Sequence, residues 1–141
     1  AARDNFEINT DNILAILGAS LYWAEGGKTQ RGLVRFSNGD PKMIKLMMIF
    51  FRNVCKVPEN KFRAHIHIPF SLDYHASEEY WSGISQIPLA QFFKTYRKPD
   101  GNKESLRKTL PYGTFDIYVC DTKLFLTIQG WIEKIVLSFN D

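Results

Sequence analysis

The chain has few cysteines, no long apolar run and no repeats, and each shortage narrows what it can be. Two cysteines, Cys55 and Cys120, stand far apart in 141 residues, each within an apolar segment. That excludes a disulfide-stapled scaffold, and no pair has the spacing of a zinc finger. Two buried free thiols in a reducing, cytoplasmic compartment are the expectation. No apolar stretch reaches the length of a membrane span, so no membrane partner is expected. No charged, apolar, small-residue pattern marks a secretory leader. The sequence opens on "AARDN" without Met and reads as a processed or excised piece of something longer, with 1–10 as the tail of a preceding linker.

What remains is one domain over 1–141, large enough to bury a core without staples. Aromatic side chains make up 14% of it, so large flat groups carry much of the packing. Asn9-Thr10-Asp11 supplies N-cap candidates for a helix running to Glu25, stopped by Gly26-Gly27. "QRGLVRFSN" alternates as a strand. Asp40 and Pro41 open the clearest helix, through "KMIKLMMIFFRNVCKV". "KFRAHIHIP" alternates without fault, "ASEEYWSGI" is a short helix, and "QFFKTYRK" and "TFDIYVCD" are strands. "TKLFLTIQGWIEKIVLSF" closes the chain as an amphipathic helix. The order α-β-α-β-α-β-β-α predicts an α+β fold, with helices on one face of a largely antiparallel sheet. Met43, Met47 and Met48, with Tyr22 and Trp23, are expected in the core.

The other sheet face should be wet. Alternation places Arg31, Arg35, Lys61, Arg63, His65, His67 and Tyr118 on it. From Lys28 to Arg63 there are nine Lys and Arg against Asp40 and Glu59, a net of +7 hidden within a chain of +3. Lys94 to Lys108 adds a connection of net charge +4, suited to a solvated loop or to phosphate contact. His65 and His67 share a strand face and, with Asp73 and His75 nearby, could hold Zn²⁺.

The stretch "ILGASLYWAEGG" poses a problem of its own. A helix C-terminus already carries negative potential, yet this one ends on Glu25. Ser20 and Ala24, four apart, would let a second helix approach closely. If that helix were another copy, two Glu25 carboxylates would meet, and a cation between them would relieve the repulsion. A salt bridge to Lys28, or plain exposure, would explain the acid equally well.

"LGASLYWAEG" resembles a divergent LAGLIDADG motif, with Glu25 on its metal-binding acid, Gly26 on its final glycine, and Ser20 and Ala24 on its small seam positions. More closely, the chain resembles uncharacterised bacterial and archaeal proteins that carry this domain behind an N-terminal helix-turn-helix. The shared residues are Leu21 to Gly26 with Lys28, Val34 to Ile44, His65 with His67, Tyr80 to Phe92, Tyr112-Gly113 and Gly130 to Glu133. The resemblance implies a saddle-shaped sheet, a motif helix at a dimer axis, and a homodimer seamed by Gly18, Ser20, Leu21 and Ala24. It implies double-stranded DNA on the wet face, met by Lys28, Gln30, Arg31, Arg35, Lys61, Arg63, His65, His67, Lys94, Arg97 and Lys98. Glu25 would be the catalytic and metal-binding acid, holding Mg²⁺ against the scissile phosphate. One strand, rather than a long hairpin, follows Glu25, and some LAGLIDADG-like domains regulate transcription without cutting. The alternatives are a metal-dependent hydrolase using His65, His67 and His75, and a dimerisation module of a helix-turn-helix protein.

Overall fold

A computed structural model describes residues 10–27, 32–100 and 110–139. Lys28, Gln30 and Arg31, and the centre of the basic connection after Asp100, lie outside the described residues. The elements are α1 (Thr10–Glu25), β1 (Leu33–Asn38), α2 (Pro41–Ile49), β2 (Phe62–Pro69), α3 (Tyr74–Ser85), β3 (Tyr96–Lys98), β4 (Thr114–Cys120) and α4 (Thr122–Leu137). The fold is α+β, and the element order is the one expected.

Three aspartates start helices. Asp40 accepts from the Lys42 amide at 2.9 Å, with Pro41 in the first turn, where its missing N–H costs nothing. Asp73 accepts from the amides of His75 and Ala76, and Asp121 from that of Leu124. The end of α1 is set by its glycines. Gly26 N donates to Tyr22 O at 2.7 Å, and Gly27 N donates to Arg35 O at 2.8 Å, so the chain leaves the helix directly alongside β1. A Cβ on Gly26 would stand 2.5 Å from Tyr22 O. The chain must turn at this point, and Glu25 is left exposed.

The sheet order is β1-β4-β2-β3. β4 runs antiparallel to both β1 and β2. β3 is parallel to β2, so the sheet is largely antiparallel, as expected, but mixed at this one edge. The reason is α3, which carries the chain back between β2 and β3 and so makes a crossover. The strand expected over "QFFKTYRK" is correspondingly short. Its first residue, Gln91, ends a 3₁₀ turn over Leu89–Gln91, and regular pairing begins only at Tyr96.

Strand alternation sorts the two faces. Val34, Phe36, Phe62, Ala64, Ile66, Ile68, Phe115, Ile117 and Val119 are fully buried beneath the helices. Trp81 of α3 stacks on Phe115 with ring centroids 5.1 Å apart, and its Nε1 donates to Tyr112 O. Three expectations about single residues need correction. Trp23 is not in the core but 49% exposed, because it faces away from the sheet while its neighbour Tyr22 faces in. Cys120 is exposed on the outer face beside Tyr118, whereas Cys55 is half-buried. Gly18 belongs to the chain's own core: a Cβ there would collide with the Phe50 ring, so this glycine seats Phe50. Leu21 likewise packs against the core.

Candidate functional site

The outer sheet face carries the site. The register pairs His65 with Asp116, His67 with Thr114, and both Arg35 and Arg63 with Tyr118. Side chains that stand opposite each other on one face meet. His65 and His67 lie with ring centroids 4.5 Å apart. His67 Nε2 is 2.9 Å from Asp116 Oδ2, and Arg35 reaches the same oxygen at 3.5 Å. The Tyr118 hydroxyl donates to it at 3.4 Å. Asp116 is only 1% exposed although it points to the outer face, because these four side chains roof it.

Gly113 fixes this register. Its φ of +69° is one that side-chain-bearing residues rarely adopt, and a Cβ there would run into His67 O. Ser77 and Trp81 of α3 both donate to the Tyr112 carbonyl just before it. The turn that launches β4 is thus held from two sides.

The electrostatics follow from the crowding. Burial, and then the neighbouring His67, push the His65 imidazole below its ordinary value, so that the neutral ring is favoured. Burial, and then the Asp116 carboxylate, push the Tyr118 phenol up. Arg35 lies over the Tyr118 ring at 5.7 Å. Phe93 and Tyr96 stand at the rim, each edge-on to one of the histidines. A cleft of about 870 Å³ opens beside His65 and runs past Phe93, Lys94, Tyr96 and Arg97.

Among the described residues, the one convergent group of three or more His, Cys, Asp or Glu side chains is His65, His67 and Asp116. Their ligand atoms all lie within 4.8 Å of one another. The histidine pair was expected there, but its expected partners were not found with it. His75 is exposed at the start of α3, 4.0 Å from Glu78, and Asp73 is spent as a cap. Asp116 was missed although the alternation that put Tyr118 outward puts Asp116 outward too. Among the described residues Glu25 joins no such group, and its carboxylate is exposed.

The expected DNA-contacting residues divide by how free they are. Arg35, Lys94 and Lys98 are exposed. Arg63 spends one guanidinium nitrogen on the carbonyls of Asn60 and Phe62. Lys61 lies in the turn before β2 and pairs with Asp121 at 3.1 Å. Arg97 is a structural residue. Its guanidinium lies 4.0 Å from the Phe70 ring centroid and 4.5 Å from that of Tyr74, and donates to Phe70 O. It tethers β3 to the start of α3 and is not free to meet a phosphate.

On α1 the side turned away from the sheet presents Ile16, Leu17, Trp23 and Ala24, with Ser20 half-buried between them. These positions share one helix face. No known family model, curated protein or solved structure matches the chain.

Proposed function

We propose that this chain is a DNA-binding domain of the LAGLIDADG-like class that acts as a homodimer. The outer sheet face carries the reading. It sets Arg35, Arg63 and Lys94 among Phe93, Tyr96 and Tyr118, a mixture of cations for phosphate and rings for sugar or base contact. The exposed apolar side of α1 supports the dimer, since Ile16, Leu17 and Trp23 would be removed from water by a second copy. Glu25 sits at the exposed end of that helix. In a pair of chains, two such carboxylates with Mg²⁺ between them are the endonuclease form of this reading; without metal the same dimer is a regulator that binds and does not cut.

Fluorescence anisotropy with a labelled random-sequence duplex tests it. Affinity should fall steeply with salt, because each neutralised phosphate releases counterions. Replacing Arg35, Arg63 and Lys94 together by Ala should reduce the slope of log K against log salt by about 2 to 3. An unchanged slope would remove the sheet face from the reading.

A further inference from the structure

We propose that His65, His67 and Asp116 form a binding site for one divalent transition-metal ion of the zinc type on the outer sheet face. The proposal stands apart from the DNA reading and from Glu25, because it rests on side chains that one chain brings together by itself.

The donor set decides the class of ion. Two imidazoles and one carboxylate suit Zn²⁺ and its borderline neighbours, whereas Mg²⁺ prefers an all-oxygen shell. The distances are right for a small adjustment. Ligand atoms about 2.0–2.2 Å from a tetrahedral zinc lie roughly 3.3 Å from one another. Here the His67 Nε2 to Asp116 Oδ2 separation is 2.9 Å, and the whole set lies within 4.8 Å. β2 and β4 are adjacent and hydrogen-bonded, so two of the ligands share a strand and the third faces them across the ladder. Little backbone movement is needed.

The surroundings resemble those that orient metal ligands. The backbone of Lys94 is within hydrogen-bonding reach of His65, and Tyr118 and Arg35 both address the Asp116 carboxylate. Partners of this kind fix ring orientation and carboxylate rotation around a bound ion. Three protein ligands leave a fourth position open, as in zinc sites that act on a bound water or anion rather than close around the ion. That position opens on the exposed face shared with Arg35, which would favour an anionic fourth ligand.

Isothermal titration of chelator-treated protein with Zn²⁺ alone tests the site. One ion per chain is expected. His67→Ala and Asp116→Asn should each weaken uptake by at least about tenfold, the scale on which even outer partners of a metal act. Asp116→Asn keeps the shape and guards against a fold defect, checked by its circular dichroism. His75→Ala should leave uptake unchanged, and excess Mg²⁺ should not compete. No uptake, uptake unaffected in His65→Ala/His67→Ala, or loss of uptake in His75→Ala would each overturn the proposal.

Discussion

His67 Nε2 lies 2.9 Å from Asp116 Oδ2, and that contact joins two strands whose residues are 49 positions apart in sequence. It leaves a carboxylate buried on a face that alternation marks as wet. A buried carboxylate is tolerable only when cations or hydrogen-bond donors surround it. Arg35, His67 and Tyr118 supply them here.

Asp116→Ala should therefore destabilise metal-free protein by about 1–3 kcal/mol, the usual cost of stranding buried partners. Urea unfolding in chelator measures it. A variant as stable as wild type would mean that the four roofing side chains lose nothing when the acid is removed.

Gly113→Ala tests the register from the backbone side. The positive φ and the collision of a new Cβ with His67 O should together cost more than about 1 kcal/mol. The same change should weaken Zn²⁺ uptake, because it shifts β4 against β2. A melting temperature equal to that of wild type would show that the turn tolerates a side chain.

The cap of α4 gives a pH-dependent prediction. Backbone donation from Leu124, and then the Lys61 ammonium, hold the Asp121 carboxyl below its ordinary value. A depressed acid contributes stability that is present above its unfolded value and lost as pH falls through its folded one. Asp121→Ala should cost about 1 kcal/mol at neutral pH. The difference from wild type should shrink below the ordinary carboxylate range, as followed by thermal melts across pH.

The exposed side of α1 predicts assembly. Trp23→Glu, at a position 49% exposed, should leave the melting temperature of the subunit nearly unchanged. It should weaken self-association by tenfold or more, about 1.4 kcal/mol. Sedimentation equilibrium decides this, and a wild type that stays monomeric at tens of micromolar would remove the dimer.

The two thiols should differ in reactivity. Cys120 is exposed, whereas burial pushes the Cys55 thiol up to about 12. An aromatic disulfide reagent at neutral pH should modify one thiol per folded chain quickly and the second only on unfolding. Two fast equivalents would contradict the burial of Cys55.

The order of helices and strands, the cap at Asp40, and the two faces of β1, β2 and β4 were legible in the sequence, whereas Asp73, read as a possible zinc ligand, is a cap in the structure. The legible features are all local. They follow from side-chain periods of two and of 3.6, and from short polar residues that bond amides two or three positions on. The pairing of His65 with His67 was legible for the same reason. What joins them was not. Asp116 meets the histidines through a register set by a positive-φ glycine and by α3, and no local period encodes which strand lies beside which. The parallel placement of β3, the seating of Phe50 on Gly18 and the capture of Arg97 between Phe70 and Tyr74 are of the same kind. In sequence, a glycine in a helix and an arginine in a basic stretch looked available to a partner. Tertiary packing decided otherwise, because contacts between distant segments form only once the core has fixed where each segment lies.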